Sequence, residues 1–265
     1  MQGISKRRVV GTVATLAALC IGASAVWAAG IESKGFTVEV GATEGGAATC
    51  ASGKIAGAGG FSLKQPTNEL YPQTTFPDGK KWKVEAYNRN GPDAYKGKAF
   101  ALCLNDPKLF VRSKVERVEG PLDEIQATAK CPEGSKAVAG GGKGPGFNTV
   151  MRGSFPTGDP RTWGARWEYL GDGDRVEAFA VCDPTPRGVS FVDDSVTSDP
   201  DRRGGLAEVT AEAECATGET VVGGGFFSTS ESTHYLESRP TKRSWKVTAN
   251  AGEGVIMNSY AVCQK

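Results

Sequence analysis

The sequence predicts an all-β protein built from three homologous antiparallel units of about 80 residues, each closed by its own disulfide. Three observations predict it: six regularly spaced cysteines, a set of landmarks that recurs three times in one order, and apolar residues that alternate with a period of two.

Seven cysteines are present, and six of them follow the first thirty residues, at positions 50, 103, 131, 182, 215 and 263. The first, third and fifth stand 81 and 84 residues apart; the second, fourth and sixth stand 79 and 81 apart. Six cysteines allow fifteen pairings. Repetition selects one bridge inside each unit: Cys50–Cys103, Cys131–Cys182 and Cys215–Cys263. Each closes a loop of about 50 residues, worth roughly 4 kcal/mol in the chain-entropy description. That is large beside the stability of a small unit with few large aliphatic side chains, so a structural role is expected. No Cys-x-x-Cys occurs, and the single histidine, His234, cannot complete a Cys/His zinc set. No metal and no cofactor are expected.

The landmarks follow each leading cysteine in turn. First comes a Cys-x-x-Gly turn at Cys50–Gly53, Cys131–Gly134 and Cys215–Gly218. A glycine-rich block follows, at Gly57–Gly60, Gly140–Gly142 and Gly223–Gly225. Such a block cradles phosphate only when a lysine and a helix start come directly after it, and neither does here. A bulged or tightly packed strand is expected instead. Next is a hydroxyl residue two before a proline: Thr75 and Pro77, Ser154 and Pro156, Ser238 and Pro240. A tryptophan comes five to seven residues after that proline, at Trp82, Trp163 and Trp245. Each unit ends on an aromatic, alanine, an aliphatic and cysteine, as in Phe100-Ala-Leu-Cys103, Phe179-Ala-Val-Cys182 and Tyr260-Ala-Val-Cys263.

Alternation places the strands. Ala207, Val209, Ala211, Ala213 and Cys215 share one face, with Glu208, Thr210, Glu212 and Glu214 on the other. A further strand starts at each tryptophan, as in Trp245, Val247, Ala249 and Ala251, and a turn follows. Because each tryptophan is in phase with inward residues, core packing is expected in preference to sugar stacking. The closing strand is apolar on both faces, which predicts neighbours on both sides. Two connectors, Asn105 to Pro121 and Asp183 to Gly205, are long enough for one more strand each, for example at Val189–Val192; Phe36–Val40 can form another ahead of the first cysteine. Two packings fit these units: one body with pseudo-threefold, β-prism-like symmetry, or tandem small β-sandwiches.

The first 28 residues read as a signal peptide. Lys6, Arg7 and Arg8 precede an apolar stretch from Val9 to Val26, and Val26 and Ala28 suit the −3 and −1 positions of a cleavage site. Arg7-Arg8 leaves both general and twin-arginine export open. The units then span 29–105, 106–184 and 185–265. An even cysteine count in an exported chain fits an oxidising compartment, so a secreted, extracellular or cell-wall-associated location is expected. Removing the three basic residues of the leader leaves 28 basic against 30 acidic residues. That near-neutral balance, with no basic run, excludes nucleic acid as the expected partner, and no stable membrane insertion is expected after cleavage.

The segment Cys50-Ala-Ser-Gly-Lys-Ile-Ala-Gly-Ala-Gly-Gly60-Phe-Ser-Leu-Lys64 resembles the repeated Cys-x-x-Gly…Gly-Phe-x-Leu element of the vitelline membrane outer layer protein I family. The chain also resembles exported repeat proteins of high-GC bacteria. The first resemblance covers about fifteen residues of each unit. It implies a β-prism of three sheets around a pseudo-threefold axis, and a coat-like or sugar-binding role.

No catalytic constellation is visible. There is no Gly-x-Ser-x-Gly elbow, and His234 sits in the polar stretch Ser228–Tyr235, which reads as an exposed loop. Asp172-Gly-Asp174 lacks the later ligands of a calcium loop, and Asp193-Asp194…Asp199-Pro-Asp201 reads as an acidic connector. The expected function is a secreted, non-catalytic binding or structural protein of the cell surface or envelope. Its expected partner is a cell-wall or extracellular glycan, or a surface protein. The alternative is a glycosidase-like secreted hydrolase using carboxylates from two units. Specificity usually resides in variable loops on a rigid scaffold, here Lys64–Tyr71, Lys143–Thr149 and Ser228–Tyr235, with Tyr71, His234 and Tyr235 as the candidate binding residues.

Overall fold

The computed structural model describes residues 30–64, 68–106, 108–118, 122–146, 149–171, 174–186, 188–199, 205–230 and 232–265; the expected signal segment, Asp172 and Asp201 lie outside them. Among the described residues every regular element is a strand. Unit one contributes β1 (Gly30–Val38), β2 (Thr43–Thr49), β3 (Ile55–Lys64), β4 (Leu70–Asp78), β5 (Lys81–Asn88) and β6 (Tyr95–Leu104). Unit two repeats them as β7 (Phe110–Arg117), β8 (Leu122–Lys130), β9 (Lys136–Lys143), β10 (Val150–Pro156), β11 (Thr162–Leu170) and β12 (Arg175–Asp183). Unit three does so as β13 (Val189–Thr197), β14 (Ala207–Glu214), β15 (Thr220–Ser228), β16 (Thr233–Pro240), β17 (Ser244–Ala251) and β18 (Ile256–Gln264).

The strands form three antiparallel six-stranded sheets, and no sheet belongs to one unit. Sheet one runs β1-β6-β3-β16-β17-β14, sheet two β7-β12-β9-β4-β5-β2, and sheet three β13-β18-β15-β10-β11-β8. Each is thus the first, sixth and third strands of one unit joined to the fourth, fifth and second strands of another. The joins are equivalent: Phe61 faces Ser238, Gly142 faces Thr75, and Phe226 faces Ser154. The order is cyclic, so the three units close on themselves with pseudo-threefold symmetry. Tandem independent sandwiches are ruled out, because every unit lends half of its strands to a neighbour.

The cysteine bridges lie inside the units, Cys50–Cys103, Cys131–Cys182 and Cys215–Cys263, with Cα–Cα distances of 5.5, 5.6 and 5.6 Å. Each leading cysteine precedes the third strand and each closing cysteine lies on the sixth. The turn after the leading cysteine needs a left-handed residue, supplied by Gly53 (φ 81°), Gly134 (81°) and Gly218 (88°).

The glycine block is explained by two close approaches. A Cβ on Gly59, Gly140 or Gly224 would stand 2.3, 2.3 or 2.2 Å from the tryptophan of the same unit, Trp82, Trp163 or Trp245. A Cβ on the next glycine, Gly60, Gly141 or Gly225, would stand 1.8, 1.9 or 2.0 Å from a carbonyl oxygen of a neighbouring unit, that of Ser238, Thr75 or Ser154. The block therefore lets an indole lie against one side and the next unit's backbone close in on the other. The indoles donate to the hydroxyl two before the proline: Trp82 to Thr75 at 2.7 Å, Trp163 to Ser154 at 2.9 Å, and Trp245 to Ser238 at 2.9 Å. All three tryptophans are buried, in one core shared by the three sheets.

Unit two departs from the pattern at the core centre. Phe61 and Phe226 meet edge to face at 5.4 Å, and the equivalent third position is Gly142. Trp167 fills the vacated space, its ring 2.3 Å from where a Cβ on Gly142 would be. The residues equivalent to Trp167 in the other units are Ala86 and Ala249, also buried. Volume is conserved by exchanging Phe plus Ala for Gly plus Trp.

Two sequence expectations change. Asp193 and Asp194, read as part of an acidic connector, lie on strand β13, which pairs with β18. His234 and Tyr235, read as loop, lie on β16, so the loop is confined to the residues before Thr233. The polar composition of Ser228–Thr233 hid a strand whose outer face is polar and whose inner face is short.

Candidate functional site

The described parts of the three variable segments come together where the fourth strands begin: Asn68 meets Asn250, Gly146 meets Gln73, and Thr233 meets Arg152. There the fourth strand of each unit carries a bulged residue: Gln73, Arg152 and Leu236. Arg152 and Gln73 are buried. The Arg152 guanidinium pairs with the Glu168 carboxylate at 2.6 Å and donates to the Thr233 carbonyl. The Gln73 amide donates to the Gly146 carbonyl at 3.0 Å, and the Trp167 indole donates to the Gln73 carbonyl at 3.1 Å. The Arg152–Glu168 pair lies inside unit two, but the other three contacts cross between units, so the seam joins all three.

The candidate residues fall in this seam. The Tyr71 and His234 rings, from units one and three, lie 5.4 Å apart. Burial pushes the Tyr71 phenol above its ordinary value, and nearby Glu69 adds to that. Burial also lowers the His234 imidazole below its usual 6.5, reinforced by the positive charge of Arg152. Tyr235 lies in the core instead, 1% exposed, with its hydroxyl donating to the Arg152 carbonyl at 3.0 Å. It belongs to the packing and offers no surface to a ligand. The tyrosine is in phase with the inward residues of β16, which a loop reading could not reveal.

A concave surface lies on the outer face of sheet one. A groove of about 720 Å³ runs across β1, β6, β3 and β16, lined by Ser62, Lys64, Lys96, Lys98, Phe100 and Arg239 among others. A second depression of about 520 Å³ continues it toward β17 and β14, sharing Ser62, Lys64 and Glu237 and adding Glu208, Lys246 and Thr248. The Arg239 guanidinium covers the Phe100 ring at 5.6 Å. Glu237 is held by Arg239 and Lys246, both at 2.9 Å. Burial alone would raise its carboxyl, but those two cations outweigh it and hold the group below its usual value.

The same aromatic positions are filled on the other two sheets. Phe76 stacks on Phe179 at 4.8 Å, and Phe155 lies 6.4 Å from Tyr260, the residue equivalent to Phe179 and Phe100. Arg239 stands where Phe76 and Phe155 stand in units one and two. Sheet one thus has a charged group where its counterparts carry a phenyl ring. Among the described residues, no group of three or more His, Cys, Asp or Glu side chains could hold a metal ion. Compared with known proteins, the chain matches no family model and no curated sequence.

Proposed function

We propose that this protein is an exported, non-catalytic binding module of the cell surface or envelope, which holds an extracellular glycan on one face of a rigid three-sheet body. The observation that carries the reading is the groove on sheet one, lined by side chains of units one and three. Of its four strands, β6, β3 and β16 have ladder partners on both sides and β1 is held along its length by β6, so the surface is organised before a ligand arrives. Three disulfides are consistent with an oxidising compartment. The three-sheet arrangement is also what resemblance to the vitelline membrane outer layer protein I family implies.

A glycosidase needs one carboxyl kept protonated as an acid. Glu237, the carboxylate most enclosed by cations in the groove, is instead held ionised by Lys246 and Arg239. The non-catalytic reading is tested with the mature protein on a glycan array and in a cell-wall pulldown, alongside hydrolysis assays on the retained polymers. Retention without cleavage is expected. No retention on any glycan or wall fraction, or release of reducing ends, would overturn it.

A further inference from the structure

We propose that the groove on sheet one takes an acidic polysaccharide; this rests on the binding-module reading and names its ligand class. Lys64 on β3 and Lys96 on β6 stand directly opposite each other in the ladder, and Lys98 stands opposite Ser62. Residues opposite one another in a ladder share a face. Three ammonium groups therefore stand together on one side of two adjacent strands, all exposed. Among the described residues no carboxylate forms an ion pair with any of them.

Like charges directly opposite each other destabilise a sheet. The repeat shows that the scaffold does not require them. Where unit one places Ser62 opposite Lys98, unit two places Lys143 opposite Glu177, and unit three places Phe227 opposite Asn258. Where unit one sets Lys64 against Lys96, unit three sets Thr229 beside Ile256. The same backbone thus carries an opposite-charge pair or neutral residues at the equivalent places, with a single cation, Arg175, where unit one has Lys96. At these positions the cations gather on the sheet that carries the groove.

The local sign opposes the whole. The mature chain has a slight acidic excess, 28 basic against 30 acidic residues. The groove lining sets Lys64, Lys96, Lys98 and Arg239 against the single carboxylate Glu237. An anionic ligand relieves the repulsion and is the complement of that field. Ser62 and Thr37 stand among the lysines and offer neutral hydrogen bonds to hydroxyl groups. A protein partner would need an apolar anchor. Two phenyl rings line the groove: Phe36 is half-buried and packed against the core, and Phe100 is covered by Lys98 at 6.0 Å and Arg239 at 5.6 Å, so neither is a free anchor. A planar anionic membrane fits a concave surface poorly and would meet Glu237 and Glu208 at its far side.

The test titrates the mature protein with polygalacturonate and dextran sulfate, which separate carboxylate from sulfate as the anion, with neutral dextran, polyglutamate and phosphatidylserine vesicles beside them. Binding to at least one acidic polysaccharide is expected, weakening as salt rises. The Lys64→Gln/Lys96→Gln/Lys98→Gln variant should bind at least about tenfold more weakly, while Lys143→Gln/Arg175→Gln on sheet two stays within about twofold. Lys64→Glu should raise Tm by pairing with Lys96 and at the same time lower affinity, opposite movements that misfolding does not produce. Equal weakening by the sheet-two variant, or tighter binding to polyglutamate or vesicles, overturns the proposal. Retention on neutral glycans alone overturns it and leaves the binding-module reading standing; retention on no glycan overturns both.

Discussion

The Trp163 indole donates to the Ser154 hydroxyl at 2.9 Å, and that hydroxyl donates onward to the Gly140 carbonyl at 3.3 Å. One side chain thus satisfies the indole and ties the fourth strand to the glycine block beneath it. The same indole-to-hydroxyl bond in the other units explains why a serine or threonine recurs two residues before each proline.

Replacing Ser154 by alanine leaves a buried indole N–H without its acceptor, which costs about 1–3 kcal/mol. Ser154→Thr keeps the hydroxyl that unit one already uses at Thr75 and should cost much less. Urea denaturation of the two variants checks the difference.

Gly142 and Trp167 should behave as a coupled pair. Gly142→Phe drives a ring into the indole, and Trp167→Ala opens a cavity worth about 3–5 kcal/mol. The double variant reproduces the Phe-plus-Ala arrangement of Phe61 with Ala86 and of Phe226 with Ala249. It should recover more than half of the summed loss, a coupling that a double-mutant cycle reads directly.

The buried ion pair is dispensable only as a pair. Glu168→Gln leaves the Arg152 guanidinium, whose side chain is 3% exposed, without its counter-charge and should cost about 3–5 kcal/mol. Unit three carries Leu236 and Asn250 at the two equivalent positions. Arg152→Leu/Glu168→Asn should therefore be less damaging than the single change. Thermal melts of both variants decide it.

His234 should make stability fall on mild acidification. Its folded pKa lies below the usual 6.5, so below that pH the unfolded chain takes up the proton more readily. The contribution is fully present above the unfolded value and is lost as pH falls through 6.5 toward the folded one. As the chain has one histidine, its imidazole proton resonance can be followed alone by NMR. A midpoint below 6.5 is expected, and His234→Gln should remove that step from the stability profile.

Much of this architecture is legible in the sequence. The period of two sets the strands, and the cysteine spacing sets the bridges, because both are local or repeat in step. The exchange of half-units is not legible. The three fourth strands share the hydroxyl-x-proline ending and the same backbone edge, so the pattern alone does not say which third strand each will join. Strands β1, β7 and β13 are also faint, since they lie at sheet edges and expose most of their side chains. The lysine cluster is invisible in one dimension for a related reason: Lys64 and Lys96 meet only through the ladder between β3 and β6. Tyr71 and His234 stand out as residues of variable segments, but their meeting depends on the cyclic closure.

Because sheet one needs β16, β17 and β14 beside β3, the earliest part of the chain to emerge waits for the latest. A chain threaded across a membrane from its amino end would carry an open ladder until its final segment arrived. Assembly is then all or nothing, and a truncated chain would offer its bare β3 edge to any strand nearby. Each bridge joins two cysteines of one unit, so each can form before the ring closes.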